Sequence, residues 1–121
     1  MNTSFRNDPE AIKAIKLSIQ HWRSRILYNL VRGYKIDKYD MMFVDAQGDP
    51  VGPVQLEGTS CDLCRRYATD LSDGCKECPY TIYYGHSCDK AKEGHWWKFA
   101  SSPNLKNGDA MLKALLKLLK D

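Results

Sequence analysis

Apolar residues recur at Ile12, Ile15, Ile19, Trp22 and Ile26, three or four positions apart, a period that keeps one face of an α-helix apolar. Leu27 and Leu30 widen the stripe, while Lys13, Lys16, Gln20, Arg23 and Arg25 fall largely off it as a solvated face. Asp8-Pro9-Glu10 supplies a cap, a proline for the first helical position and an acid near the positive end of the helix dipole. With Gly33 as the stop, the pattern predicts a helix over 9–32, and Ser18 marks an alternative, later start. The period then breaks. Met41 to Val44 is a short apolar run, followed by the turn signals Gly48-Asp49-Pro50 and Gly52-Pro53 and then by Val54-Gln55-Leu56. This predicts a two-stranded hairpin or an extended connection, and Pro50 and Pro53 argue against a long strand.

Helical spacing returns at the end of the chain. Asn107-Gly108-Asp109 reads as a turn and cap, and Leu112, Leu115, Leu116 and Leu119 as the stripe of a final helix. Met111 and Leu118 lie beside that stripe, with Lys113, Lys117 and Lys120 on the other face. Such a helix docks on its own core or offers an edge to a partner or a membrane surface.

Composition changes this picture in two ways. With 121 residues, 43% hydrophobic and 27% charged, the chain is one small globular domain over 1–121, with 1–7 expected to be flexible. No apolar run is long enough for a membrane span, and the polar start "MNTSFRNDPE" is not a secretory signal, so a cytoplasmic protein is expected. The net charge of +3 comes from basic excesses over 1–40 and 79–121 around an acidic middle. That is a weak argument for nucleic acid.

A cytoplasmic setting makes the cysteines informative, because thiols there stay reduced. All five lie in "CDLCRRYATDLSDGCKECPYTIYYGHSC", four of them as C-x2-C-x10-C-x2-C. Thr59 or Ser60 caps a predicted helix from about Cys61 to Leu71, which puts Cys61 and Cys64 on one face of its first turn. Gly74 and Pro79 around Cys75 and Cys78 favour a tight, knuckle-like turn. Two such halves close around one tetrahedral Zn2+, which prefers four soft ligands, in a treble-clef-like site taken in reverse order. Iron–sulfur ligation uses the same residues, and cysteines packed as small apolar residues are the plain alternative. A thiol-disulfide oxidoreductase using Cys61 and Cys64 leaves the second pair unexplained. Cys88 can replace one of the four ligands, and His86 and His21 are further candidate ligands, although core or surface roles are commoner for single histidines. Neither H-E-x-x-H nor the H-x-E of the zinc deaminases is present, so the expected metal is structural and the protein is not an enzyme.

Trp96, Trp97 and Phe99 alternate with Lys90, Lys92 and Lys98 near Tyr80, Tyr83 and Tyr84. The set fits core packing, an interface anchor, or a stacking platform for single-stranded nucleic acid.

The order "SIQHW", "TSCDLCRRY", "GCKECPY" and "SCD" resembles the small cysteine-rich proteins of unassigned function encoded by tailed phages, over roughly residues 18–90. The resemblance implies Trp22 as a core residue and Cys88 as a member of the cysteine set with Cys61, Cys64, Cys75 and Cys78. It implies no activity. The combined expectation is a small α+β, mostly helical, zinc-stabilised domain that acts without catalysis by binding, and inhibiting or redirecting, a host protein. The expected contact residues are Trp96, Trp97, Phe99, Lys113, Leu116, Lys117 and Lys120, and single-stranded nucleic acid is the alternative partner.

Overall fold

The computed structural model describes residues 2–54 and 78–120 and is α+β, mostly helical. Helix α1 spans Pro9–His21 and is started as its sequence dictates: the Asp8 carboxylate accepts from the Glu10 N–H at 3.0 Å, and Pro9 holds the first position. The helix does not restart at Ser18, which lies fully buried inside it. It runs into a π-helical turn, Trp22–Leu27, and a closing α-helical turn α2, Tyr28–Val31. Trp22, Ile26 and Leu27 of this wider turn all lie in the interior. Side chains take up carbonyls along this stretch: Ser24 Oγ donates to the Gln20 carbonyl at 2.6 Å and Asn29 Nδ2 to that of Arg25 at 2.7 Å. Gly33 then ends the helix at φ +100°. Its N–H donates to the Leu30 carbonyl and the Tyr34 N–H to that of Asn29, both at 3.1 Å, a six-residue Schellman closure.

The region after Gly33 holds three short antiparallel strands rather than two, β1 (Lys35–Asp37), β2 (Met42–Val44) and β3 (Pro50–Pro53), in the order β1-β2-β3. Ile36 faces Phe43, and Phe43 faces Gly52. Asp45 shapes the second hairpin, its carboxylate accepting from the Gln47 and Asp49 N–H groups. Both prolines sit in edge strand β3, which stays short as expected. Strand β1 was hidden because "KID" carries only one apolar residue.

Three further helices complete the described chain: α3 (Pro79–Tyr84), α4 (His95–Ser101) and α5 (Leu105–Leu119). Helix α5 starts earlier than expected, at an Asn104 cap whose Oδ1 accepts from the Asn107 N–H at 2.9 Å. Gly108 is therefore inside the helix, not in a turn. An ideal Cβ there would stand 2.9 Å from Leu27 Cδ2 and 3.2 Å from Phe99 Cε1, so the glycine lets α5 approach the π-helical turn. That contact also sets the buried face. Met111, Leu112, Ala114, Leu115 and Leu118 enter the core, while Leu116 faces solvent. Phe99 meets Trp22 edge to face at 5.0 Å between ring centres, and both are buried.

The start of the chain, expected to be flexible over 1–7, carries two anchors. Ser4–Asn7 is a turn of 3-10 helix with Phe5 buried. Arg6 donates from Nε to the Leu118 carbonyl at 2.8 Å and from Nη2 to the Lys117 carbonyl at 2.7 Å. A guanidinium there satisfies end carbonyls of α5 and meets the negative end of its dipole.

Gly108→Val is expected to lower stability by about 1–3 kcal/mol through overpacking against Leu27 and Phe99. Gly108→Ala should fall near neutral, because about 1 kcal/mol of helix propensity offsets the milder crowding. Urea unfolding of both variants checks the pair, and equal midpoints would show that the close approach is not constraining.

Candidate metal centre

Of the five cysteines, Cys78 and Cys88 are among the described residues; Cys61, Cys64 and Cys75, with the predicted helix Cys61–Leu71 and most of the second pair's turn, lie outside them. Cys78 is the extended N-cap of α3, and its carbonyl accepts from the Ile82 N–H at 3.0 Å. Pro79, expected to close a tight turn, instead opens this helix, since its fixed φ and missing N–H suit the first helical position. Gly85, at φ +81°, ends α3 and sends the chain through His86 and Ser87 to Cys88.

Cys88 is held by its main chain. Its carbonyl accepts from the Trp97 N–H at 3.1 Å, and the Gly94 N–H donates to the Lys90 carbonyl at 2.8 Å. Gly94 closes this loop so tightly that an ideal Cβ would stand 2.0 Å from the Cys88 carbonyl oxygen. No side chain fits there without moving the backbone beside Cys88.

Tyr80, buried on α3, is the centre of the arrangement. Its oxygen accepts from the His95 N–H at 3.1 Å and is also hydrogen-bonded to His95 Nδ1. The phenol oxygen and the imidazole thus share one proton, carried either by the hydroxyl or by Nδ1 according to the His95 tautomer. Burial pushes the Tyr80 phenol above its ordinary range; the His95 N–H opposes the rise, while the nearby Cys88, Tyr84 and Cys78 add to it. His86 lies at 6.0 Å from the Tyr80 ring and 6.3 Å from that of Tyr84, centre to centre. Its Nδ1 donates to the Ser87 carbonyl at 3.0 Å, leaving the Nε2 lone pair for a proton or a metal. His21 closes α1, with Nε2 shielded from solvent.

Among the described residues, no three His, Cys, Asp or Glu side chains gather into a group able to hold a metal ion. Of the cysteines, the described chain holds buried Cys78 and half-buried Cys88. Soft thiolate donors at fixed positions fit Zn2+, and the remaining candidate ligands, Cys61, Cys64 and Cys75, belong to the span outside the description.

Comparison with protein-family models, curated proteins and solved structures finds no match.

The expected contact residues divide. Phe99 is fully buried against Trp22, because α5 and the π-helical turn close over it, and so it is not a surface residue. Trp96 stacks on Phe99 at 6.3 Å and is half-buried, as is Trp97. Tyr80 and Tyr83 are buried, and the Tyr84 hydroxyl donates to the Ala114 carbonyl at 2.8 Å, so these rings serve the interior rather than a stacking platform. On α5, Leu116, Lys113, Lys117 and Lys120 are exposed, with Lys113 paired to Asp109 at 2.9 Å. No helix of the described residues is long and apolar enough to cross a membrane. Sequence reasoning missed Gly94 and His95, whose only signal was their position between Cys88 and the tryptophans.

The His95 imidazole is held below its ordinary 6.5 by burial first, then by Lys98, His86 and Lys117. Its neutral form therefore supports the fold above pH 6.5, and that support falls away as pH drops below 6.5 toward the folded value. In an NMR titration His95 should titrate below 6.5, and Lys98→Ala should raise its midpoint; a midpoint at or above 6.5 would contradict this packing.

Proposed function

We propose that the chain is a zinc-stabilised, non-catalytic binding module that engages a protein of the host cell and inhibits or redirects it. The observation that carries the metal reading is the C-x2-C-x10-C-x2-C spacing, together with the burial of Cys78 at the start of α3 and of Cys88 in part, in a loop that Gly94 keeps closed. A buried thiol suits an ion that holds a fold together better than an exchange reaction, which needs an accessible sulfur. Cys61, Cys64, Cys75 and Cys78 supply four ligands in this reading, with Cys88 able to replace one of them. Four thiolates fill a tetrahedral ion and leave no open position for chemistry. The ion contributes folding energy instead.

The contact surface is Trp97 with the solvent edge of α5, namely Leu116, Lys117 and Lys120, and with Lys113 beside it. Support comes from the exposure of Leu116 among lysines on a helix whose other face is already committed to the core. The phage resemblance supplies the host as the source of the partner.

Purified protein is expected to carry about one zinc per chain, and chelation should lower its melting temperature sharply. Cys78→Ser should lose the metal, and Gly94→Ala should weaken zinc retention by displacing the Cys88 backbone; metal analysis and thermal melts read both. A metal-free chain of unchanged stability would end the zinc reading. For the surface, Trp97→Ala and Leu116→Glu should abolish recovery of a stoichiometric host protein while leaving the melting temperature within a few degrees. Equal recovery by the variants would remove this surface from consideration.

A further inference from the structure

We propose that the groove between the end of α2, strand β1 and the start of α5 receives an acidic segment of a partner protein, anchored by one large apolar side chain. The inference rests on the reading of the chain as a protein-binding module, but it uses none of the residues assigned to the surface above. The groove has a volume of about 470 Å³ and is walled by Leu30, Tyr34, Ile36, Pro103 and Leu105. Leu105, the first residue of α5, is 46% exposed, whereas Leu112, Leu115 and Leu118 of the same helix are buried. Val31 and Tyr28, on the adjoining turn, are 70% and 57% exposed. Apolar area is thus gathered at one mouth, enough for a Leu, Phe or Trp side chain.

The charge beside it decides what kind of segment fits. Among the described residues that line the groove, Lys35 is the single charged one. Arg32 stands next to it, its guanidinium 5.1 Å from the centre of the Tyr28 ring and 5.2 Å from that of Tyr34. Tyr34 is shared, since it also lines the groove. Two aromatic rings thus hold the guanidinium by cation–π contact, an interaction that leaves its N–H donors available to a ligand. No carboxylate of the described residues pairs with it. A guanidinium already oriented by stacking loses little freedom on binding a carboxylate, and the pair is charge-assisted and planar. An apolar hollow with Arg32 and Lys35 at its edge therefore complements an Asp or Glu flanking a bulky apolar residue. A basic or neutral segment would leave both cations unanswered.

The test uses the full chain with its metal, isotope-labelled, and three amidated peptides: one built on Glu-Leu-Glu-Phe, its twin with Lys for Glu, and its twin with Gly for Leu and Phe. NMR shifts should move for Leu30, Tyr34 and Leu105 with the acidic peptide alone, and added salt should weaken the effect. Arg32→Gln should weaken binding by about tenfold, the usual loss for a charge-assisted pair. Leu105→Glu should abolish it, and Trp97→Ala should leave it unchanged. Both groove substitutions are at exposed positions, so their melting temperatures confirm folding. Four results would overturn the proposal: no groove shifts with the acidic peptide, equal shifts with the lysine twin, competition by a thymidine oligonucleotide, or groove shifts that follow protein concentration together with a dimer mass in sedimentation. Loss of groove binding with Trp97-dependent recovery intact would sink this inference and leave the earlier surface standing.

Discussion

The described fold depends on how closely α5 can approach the π-helical turn. Gly108 sets that distance, since its missing side chain is where Leu27 and Phe99 sit. The approach brings Phe99 edge-on to Trp22 and aligns Met111, Leu115 and Leu118 with the stripe of α1. A side chain larger than a methyl group at 108 would push α5 outward and loosen these contacts together, because a packed interior passes displacement along instead of absorbing it. The π-helical turn forms the other wall, where Trp22, Ile26 and Leu27 are buried.

The second organising contact is polar. Tyr80 ties α3 to α4 through both the main chain and the ring of His95, and the loop carrying Cys88 is closed between them by Gly94. This places the Cys78 backbone at the entry to α3 and the Cys88 backbone in the loop that follows it, each held by main-chain hydrogen bonds.

Much of this was legible where one local rule governs. The start of α1, its glycine stop, the inward Trp22 and the brevity of the proline strand all follow from caps, period and missing donors. Reading failed where two patterns fit the same residues. The leucine pairs 115–116 and 118–119 allow two stripes, and only a contact at Gly108, far from Leu27 in sequence, selects between them. Gly108 next to Asn107 and Asp109 looks like a turn because turn and close-packing glycines share one letter. Phe99, Tyr80 and Tyr83 looked equally suited to a surface or an interior, since an aromatic ring among lysines does not announce its direction. Tyr80 and His95 were unreadable for a simpler reason: a tyrosine–histidine pair has no spacing signature.

The Arg6 contact bears on the order in which the chain can become a protein. Its acceptors, the carbonyls of Lys117 and Leu118, are made 111 and 112 residues after Arg6 itself. During synthesis α1 therefore emerges with its apolar stripe uncovered and stays so while the sheet and the whole cysteine segment follow. Contacts of such long range slow folding and leave nascent helices open to association with other chains. A chain made only as far as the residues before α5 lacks the part of the core that Met111, Leu115 and Leu118 supply to the stripe of α1.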